Sequence, residues 1–422
     1  MIPDPHAFLA SLFQAAVKAA EPVAAIRAHL PERPKGRTVV IGAGKAASQM
    51  AAALESLWDG PLEGAVVTQH GPVAACRRVE VLQAAHPVPD EAGIAASARL
   101  FALLRDLTQD DLVIALVSGG GSALLPAPAG MLTLADEIAV NRALLASGAP
   151  ISAMNTVRKH VSRIKGGRLA HAAHPARVVS LILSDIPGDN PAHVASGPTI
   201  PDNSTPEDAL AIVRQYHLAL PRTVMEHLAS PDSAAARPDD PAFTRHEHQV
   251  IASARVSLEA AAGKAKAAGI VPVILSDSIE GEARDIGLMH AAIAREVRYH
   301  GRPFAVPVVM LSGGETTVTI GGEGHGKGGR NTEFLLSFAH SIRGLPDVQA
   351  LAADTDGRDG SEHNAGAFAD GESIMRMRAA GIDPRVNLMD HDAFSAFEAI
   401  GDIFETGPTG TNVNDFRAIL VR

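Results

Sequence analysis

The chain has 422 residues, of which 46% are hydrophobic and 20% charged, and its net charge is −10. This length predicts two domains, and the acidic balance argues against a broad nucleic-acid or anionic-membrane surface. The single cysteine, Cys76, excludes an intramolecular disulfide and a cysteine-based zinc site. A cysteine-poor chain without an apolar run of about 18 residues is typical of a soluble cytoplasmic protein.

The first predicted element is an amphipathic helix within residues 1–26, where the first basic residue, Lys18, comes too late for a secretory signal. An apolar strand, a glycine or acidic turn and a helical segment then recur, first at 38–57, 111–125 and 177–190. This alternation predicts an α/β fold with parallel sheets covered on both faces. Because parallel sheets bind ligands beyond the carboxyl ends of their strands, we expect the chemistry on those turns.

A stretch rich in Pro, Asp and Ala at residues 230–249 lacks periodicity and predicts a linker. It places the domain boundary near residue 240, which gives domains of 1–240 and 241–422. In the second domain, two short apolar runs around SGGE, within residues 308–320, predict a β-hairpin.

The first glycine turn, GAGK at 42–45, follows a predicted strand and precedes a helix. Gly44 lets a ligand approach the backbone, and Lys45 is unusual at a helix N-terminus unless an anion offsets its charge. The turn also satisfies the dinucleotide fingerprint G-x-G-x-x-[GA]. However, the next strand ends in Gln69 and His70 instead of the acidic residue that would hold the ribose, which weakens a nicotinamide-binding interpretation without excluding it.

Two further turns follow predicted strands. One is a nest of N–H donors suited to phosphate or carboxylate, formed by Ser118, Gly119, Gly120, Gly121 and Ser122. The other carries Asp185 and Asp189, and acids at such a position coordinate Mg²⁺, accept a hydroxyl proton or cap a turn.

The loop at 321–330 matches the first part of a P-loop up to Lys327 but has Gly328 where Ser or Thr would bind Mg²⁺. It is therefore not a Walker A loop. Its N–H donors, with Lys327 and Arg330 at a helix start, still favour a polyphosphate ligand. Arg330 is the sharper candidate because a guanidinium binds phosphate oxygens in bidentate fashion.

Asp354 and Asp356 follow a predicted strand in the string DTDGRDG. An EF-hand loop is excluded because its fifth and twelfth positions would be Arg358 and Ala365. A pair of acids after a strand predicts a Mg²⁺ site, with a solvated acidic turn as the alternative.

The turn at 406–415, which contains Asn412, either binds a ligand or shapes the chain before the last strand. The basic run from Arg158 to Arg168 on a predicted helix is typical of a solvated face, although this helix begins near Asn155, close to the predicted site.

Together these turns resemble the glycerate 2-kinase family that carries a C-terminal MOFRL domain. From about residue 38 to the C-terminus the matching strings, in the family's order, are GAGKAA, SGGGSALLPAP, NTVRKHVSRIKGGRLA, LSDIPGDNPAHVASGPTIPD, LSGGETTV, GKGGRNTEFLL, DTDGRDG and TGPTGTNVND. The resemblance implies a Rossmann-like N-terminal domain and a smaller α/β C-terminal domain, with the MOFRL region at about 305–415 and the active site in the cleft between the two domains.

The resemblance also implies that ATP and Mg²⁺ are used to phosphorylate D-glycerate to 2-phosphoglycerate. Some members carry the name hydroxypyruvate reductase, so an NAD(P)H-dependent reductase is the alternative. A non-enzymatic small-molecule sensor is a third hypothesis. Glycerate and a nucleotide are the expected ligands, and a homodimer is left open.

By the resemblance, Lys45 and Arg330 are catalytic, and the other site residues are Glu315, Asp354, Asp356 and Asn412. Phosphoryl transfer needs alignment and neutralised charge. The two cations would neutralise the charge of the transferring phosphoryl group and of the glycerate carboxylate, while Asp354 or Asp356 would hold Mg²⁺ with Glu315. We expect Gly44, the 118–122 nest and the 321–329 loop with Lys327 to line the nucleotide or acid site, and Asp189 is a candidate proton acceptor.

Overall fold

The computed structural model describes residues 4–321 and 326–422, which form two compact units. We call Pro22–Ile251 the parallel-sheet unit, and residues up to Glu21 together with Ala252–Arg422 the mixed-sheet unit. None of the helices in these described ranges is long and apolar enough to cross a membrane.

The helices of the described residues are, in chain order, α1 (Pro5–Ala19), α2 (Pro22–Arg27), α3 (Ala47–Leu57), α4 (Glu91–Leu103), α5 (Gly121–Leu124), α6 (Leu134–Ala146), α7 (Ile151–His160), α8 (Arg168–His171), α9 (Pro206–Gln215), α10 (Arg222–Leu228), α11 (Ala254–Ala267), α12 (Ala283–His300), α13 (Arg330–Ser341), α14 (Ser373–Ala379), α15 (Pro384–Met389) and α16 (Ala393–Glu398). Short 3₁₀ turns lie at Pro187–Asp189, Val194–Ser196, Pro231–Ser233 and Pro241–Phe243.

The parallel-sheet unit is built on the strands β1 (Thr38–Ala43), β2 (Glu63–Gln69), β3 (Val79–Ala84), β4 (Leu112–Ser118), β5 (Arg177–Leu183) and β6 (His246–Ala252). Their order is β3-β2-β1-β4-β5-β6, and every pair from β3 to β5 is parallel. This is the Rossmann strand order, so the predicted Rossmann-like fold is confirmed. The order reverses between β1 and β4, which brings the turns after these two strands to one crevice.

The central strands of this sheet are apolar along their whole length because both faces are covered. β1 and β4 are buried at every residue. Val39, Ile41 and Val113 pack in one core cluster with Leu100 of α4. This burial holds the strand ends, and hence the turns that follow them, in fixed positions.

The mixed-sheet unit contains β7 (Val271–Glu282), β8 (Val308–Thr317), β9 (Val348–Asp354), β10 (Gly366–Asp370), β11 (Ile403–Phe404) and β12 (Asp415–Val421). Their order is β11-β10-β9-β12-β8-β7, and of these pairs only β7 with β8 is parallel. The expectation of a parallel sheet was therefore wrong for this unit. A continuous apolar strand indicates burial on both faces of the sheet, and helices cover both faces here too. It does not indicate the direction of the strand.

The predicted hairpin around SGGE was also wrong, because residues 308–317 form one continuous strand. β8 pairs with β12 on one side and β7 on the other, and both ladders run through Gly314. Gly314 has φ 130°, and a Cβ there would lie 2.2 Å from the carbonyl oxygen of Ile279. The glycine thus serves a close approach of two strands at an irregularity of β7 and not a turn.

The boundaries between the two units follow Glu21 and Ile251, whereas composition places a single boundary near residue 240. β6 lies beyond residue 240 yet is the edge strand of the first sheet, and the parallel-sheet unit ends at Ile251. α1, at the opposite end of the sequence, belongs to the mixed-sheet unit. Its Leu12 and Phe13 are buried with Leu258 of α11 and Phe416 of β12 in one apolar cluster.

Candidate active site

The turns after β1 and β4 are hydrogen-bonded to each other. The N–H of Lys45 donates to the carbonyl oxygen of Gly119 at 2.8 Å, and the N–H of Ala46 donates to Oγ of Ser118 at 3.1 Å. The Lys45 side chain crosses Gly120, where a Cβ would lie 3.0 Å from Cγ of Lys45. Lys45 and the 118–122 nest, predicted separately, therefore share one edge of the sheet.

The glycines of the GAGK turn are required by the neighbouring strand. A Cβ on Gly42 would lie 2.1 Å from the carbonyl oxygen of Leu116, and one on Gly44 would lie 2.1 Å from Oγ of Ser118. Packing against β4 therefore accounts for both glycines without a dinucleotide. In addition β2, the neighbour of β1, ends at Gln69 and not at the acidic residue that a dinucleotide site requires.

A cavity of about 250 Å³ opens beside this turn within the parallel-sheet unit. Its polar walls come from the glycine nest, α6, α7 and the segment after β5, and they include His86, Gly119, Gly120, Ser122, Asn141, Asn155, Arg158, Asp185, His193 and Ser196. Asp185 lines the cavity, whereas Asp189 lies outside the set of lining residues. A Cβ on Gly119 would overlap the Asp185 carboxylate, which shows how closely that carboxylate packs on the nest.

A chain of buried hydrogen bonds joins the nest to α7. Oγ of Ser122 lies 2.8 Å from Oγ of Ser196, which donates to Oδ1 of Asn155 at 2.8 Å. Nδ2 of Asn155 donates to the carbonyl oxygen of His193 at 3.1 Å. Burial lowers the pKa of His193, and so does the charge of Lys159, so this imidazole is neutral at physiological pH. Ser196 and His193 lie in the string LSDIPGDNPAHVASGPTIPD, which resembles the family, but neither was predicted as a site residue.

The basic run from Arg158 to Arg168 extends beyond α7 to the start of α8, and most of it is not a solvated face, so that prediction was wrong. Lys159 and Lys165 are buried and form ion pairs with Asp202 and Glu137, the latter at 2.7 Å. Arg168 donates to backbone carbonyl oxygens, among them that of Lys159 at 2.7 Å. The run was misread because its counter-charges come from segments distant in sequence.

In the mixed-sheet unit, Arg330 at the start of α13 is held by three carboxylates. Its Nε donates to Asp415 at 2.6 Å, Nη1 to Glu315 at 2.9 Å and Nη2 to Asp354 at 2.8 Å. Burial alone would lower the pKa of Arg330, but the charges of Asp415, Asp354 and Glu315 raise it. The strand register explains the cluster, because Asp415 of β12 lies opposite Asp354 of β9 and beside Glu315 of β8.

Asp415 and Arg417 were not predicted as site residues, although Asp415 ends the 406–415 turn. Oδ2 of Asp415 accepts from Arg417 and from Oγ1 of Thr316, and Arg417 is fully buried over the ring of Phe334. Arg417 thereby holds the carboxylate that orients Arg330. Both residues lie at the start of the apolar strand β12. From sequence alone, two charges at that position look like the end of the preceding loop.

Asp354 and Asp356 adjoin each other, with the N–H of Asp356 donating to Oδ1 of Asp354 at 3.0 Å. Burial and the neighbouring Asp356 raise the pKa of Asp354 to about 8, against the opposing charge of Arg330. Across the described residues no group of three or more His, Cys, Asp or Glu side chains is arranged to hold a metal ion. Two carboxylates in a region with excess negative charge nevertheless suit Mg²⁺, which commonly takes one or two protein carboxylates and completes its shell with phosphates and water.

The start of α13 is already satisfied by protein groups. The N–H groups of Asn331 and Thr332 each donate to the buried carboxylate of Asp359 at 2.9 Å. These two donors are therefore not available to a phosphate. They follow the 321–330 loop, so the expectation for that loop stays a prediction. Residues 322–325 of that loop lie outside the described residues.

Among the described contacts, neither of the two remaining predicted residues bonds to Arg330 or to its carboxylate partners. The backbone N–H of Lys327 donates to Asp392 at 2.8 Å, and its exposed side chain makes no described bond to the acidic cluster. Oδ1 of Asn412 accepts from the N–H of Asn414 at 3.0 Å, so it shapes the turn before β12.

Comparison with known proteins assigns the chain to a family. Residues 8–229 match the model of a domain of unknown function, DUF4147, and residues 308–415 match that of the MOFRL family. A protein of Pyrococcus horikoshii named glycerate 2-kinase is 41% identical over 92% of this chain and 88% of its own length. The chain belongs to the MOFRL-type glycerate 2-kinase family.

Other members of the family agree with this in fold but not all in name. The crystal structure of a glycerate kinase from Thermotoga maritima superposes with a TM-score of 0.90 at 36% identity, covering 99% of both chains. A relative from Agrobacterium vitis, 52% identical over 98% of this chain and 94% of its own, carries a provisional name as a hydroxypyruvate reductase.

Proposed function

We propose that this chain is a kinase that transfers the γ-phosphoryl group of ATP to the 2-hydroxyl of D-glycerate. The observation that carries the proposal is the near full-length match to a relative named glycerate 2-kinase. The pairing of Lys45 with the glycine nest at the switch point of a Rossmann-like sheet supports it, because anionic ligands bind at that position.

In the proposed reaction the hydroxyl oxygen attacks the γ-phosphorus, its proton passes to a carboxylate, and ADP leaves. Catalysis of this kind rests on alignment and on stabilising the charge of the transferred group. Lys45 supplies an exposed positive charge next to the cavity. Asp185 lines that cavity and is the better-placed proton acceptor, whereas Asp189 stays a candidate from sequence alone.

Arg330 contributes a guanidinium whose direction is fixed by Asp415, Asp354 and Glu315. These bonds leave further N–H donors of the guanidinium for phosphoryl oxygens. Asp354 and Asp356 would hold Mg²⁺, which when bound supplies charge neutralisation to the phosphates. The high pKa of Asp354 is consistent with a site that a cation completes, since a nearby cation favours the ionised carboxylate.

The alternative, an NAD(P)H-dependent hydroxypyruvate reductase, is favoured only by the name of the Agrobacterium vitis relative and by the G-x-G turn. Both glycines of that turn are explained by packing against β4, and β2 lacks a terminal acid. We therefore place this function second.

The decisive experiment incubates the purified chain with D-glycerate, ATP and Mg²⁺ and identifies the product by ³¹P and ¹³C NMR. We expect 2-phosphoglycerate together with an equal amount of ADP. A parallel reaction with hydroxypyruvate and NADH should leave the nicotinamide absorbance unchanged. Enzymatic NADH oxidation without ADP formation in the first reaction would refute the kinase.

Substitutions then test the residue roles. Lys45→Met and Arg330→Met should each lower kcat by about 10²–10³, the loss typical of one charge-stabilising contact. The exposed Lys35→Met and Arg343→Met serve as matched controls from the same two units. Near-normal activity of both site variants in a folded protein would contradict the assignment, and comparing Asp185→Asn with Asp189→Asn decides between the two proton acceptors.

The other expectations stay predictions: the location of the active site in an interdomain cleft, a homodimer, and residence in the cytoplasm.

A further inference from the structure

The side-chain hydrogen bonds of Arg158 go to uncharged partners. Its Nε donates to Oδ1 of Asn141 at 2.9 Å, and its Nη1 to Oδ1 of Asn155 at 3.3 Å. Among the described residues no carboxylate forms an ion pair with it, whereas Lys159 and Lys165 each have one.

The surroundings of Arg158 oppose its positive charge. Burial lowers the pKa of Arg158, and Glu137 is the carboxylate whose charge opposes that effect. Glu137, however, is bonded to Lys165 and to the N–H of Ala127. A partly buried cation whose opposing carboxylate is bonded elsewhere is stabilised when an anion binds beside it.

The cavity that Arg158 lines matches a small hydroxy acid. Its volume is about 250 Å³, Ser122, Ser196 and Asn155 offer hydroxyl and amide groups, and Leu145 and Ile151 provide an apolar wall. Gly120, over which the Lys45 side chain lies, lines the same cavity. The cavity thus has one cation in its wall and a second one at its edge.

We propose that Arg158 binds the carboxylate of the acceptor substrate, and that Asn141 and Asn155 hold its guanidinium in the orientation this requires. The pocket then selects small 2-hydroxy carboxylates over polyols, while Lys45 is left to serve the transferred phosphoryl group. The assignment rests on the proposed function for the identity of the acceptor, and it moves recognition of the carboxylate from Lys45 and Arg330 to Arg158. A bidentate guanidinium contact would fix the acid in one pose.

The first test measures kinetics of Arg158→Met and Arg158→Lys against Arg142→Met, an exposed arginine next to Asn141 that does not line the cavity. The KM for D-glycerate should rise about 10–100-fold in Arg158→Met, as expected for the loss of hydrogen bonds to a charged group, with the KM for ATP within about two-fold. The KM of Arg158→Lys should lie between those of the wild type and Arg158→Met, because lysine keeps the charge but lacks the planar guanidinium that donates two parallel hydrogen bonds. A folded Arg158→Met with an unchanged KM for D-glycerate would overturn the inference.

The second test changes the substrate, and its first comparison needs only the wild-type enzyme. With the wild-type enzyme, glyceramide, which lacks the negative charge, should have a kcat/KM lower than that of D-glycerate by about 10–100-fold, and Arg158→Met should lose most of this discrimination. Equal use of the two compounds by the wild type would overturn the inference even if Arg158→Met failed to fold.

A failure of the proposed function is recognised separately. If the wild type forms no phosphoglycerate, the kinase proposal fails by itself, and calorimetric titration of D-glycerate without ATP still tests Arg158. Binding that Arg158→Met abolishes and Arg142→Met retains would support the pocket, and absent binding to the wild type would overturn it.

Discussion

Arg330 and Arg158 have opposite surroundings, and the difference separates their roles. Arg330 meets three carboxylates, so its orientation is fixed by charge, and its partner Asp354 adjoins the carboxylate of Asp356. Arg158 meets two amides, which orient a guanidinium without neutralising it. The first arrangement therefore suits work beside a metal-bound phosphate, and the second suits recognition of an organic anion.

Residue identity alone could find Arg330, because it follows a conspicuous glycine loop at a helix start. It could not find Arg158. Lys159 and Lys165 pair with Asp202 and Glu137, which lie far away along the chain, so the local sequence does not show which cation is left without a carboxylate. The local sequence of charged residues is the same whether each side chain is solvated, paired with a carboxylate or able to bind a ligand.

One prediction at this scale concerns the buried His290 of α12. Its Nε2 lies 3.0 Å from Oγ of Ser312 and its Nδ1 2.9 Å from the carbonyl oxygen of Ile286. Burial, with a further contribution from Arg417, lowers the pKa of His290 to about 4. Below its usual pKa the unfolded chain takes up a proton that the folded chain refuses, so stability falls as the pH drops.

We expect His290 to make the mixed-sheet unit less stable by roughly 2 kcal/mol between about pH 7.5 and pH 5. Urea unfolding of wild type and His290→Gln at the two pH values measures this, and the variant should show the smaller loss. His300→Gln, at the exposed end of the same helix, is the control. An equal pH dependence in wild type and His290→Gln would contradict the prediction.

Between elements, the buried pair of Lys165 and Glu137 joins the turn after α7 to α6 at 2.7 Å. Nζ of Lys165 also donates to the carbonyl oxygen of Leu125 at 3.0 Å, so the pair fixes the segment after the glycine nest. Removing one member of such a pair leaves the other charge buried without compensation, which is far more costly than removing both.

Lys165→Met should therefore lower the free energy of unfolding by about 3–5 kcal/mol. Adding Glu137→Gln should recover a large part of it, because the amide oxygen still accepts from the N–H of Ala127. Urea denaturation monitored by circular dichroism measures both variants. Arg222→Met, which breaks an exposed pair on α10, should change stability by less than about 1 kcal/mol. A double variant less stable than Lys165→Met would contradict this account.

The sequence predicted which segments are strands and which are helices, because burial determines that pattern. It did not predict the direction of the strands. The strands of both sheets were recognised as apolar runs between helices, but β9, β10 and β12 turned out antiparallel. Two-sided burial produces the same residue pattern in either direction. The SGGE glycines were misread for a related reason, since a close approach between strands and a turn both require glycine.

At the scale of the whole molecule, chain order and structural unit do not coincide. α1 belongs with the sheet formed by the last part of the chain, where Phe13 packs edge-to-face on Phe404 and Phe416. The apolar face of α1 is continuous with the core of that unit, so its removal would open a large cavity.

Phe13→Ala should destabilise the mixed-sheet unit by about 3–5 kcal/mol, the usual cost of truncating a buried phenylalanine. Hydrogen exchange followed by mass spectrometry should show faster exchange in β8, β9 and β12. The control, Leu100→Ala, truncates the core of the parallel-sheet unit and should affect β1 and β4 instead. Faster exchange confined to the parallel-sheet unit in Phe13→Ala would contradict the assignment of α1.

The sequence by itself determined the α/β class, the Rossmann-like first sheet, the family, and the turns that carry Lys45, Arg330, Asp354 and the glycine nest. These features are local, because a strand, a turn and a helix start are each written within a few consecutive residues. Only the tertiary structure decided the unit to which α1 and β6 belong, the direction of the second sheet, and the partners of each buried charge. Those depend on which distant segments meet, and the same apolar runs and charges are compatible with several such pairings until the fold selects one.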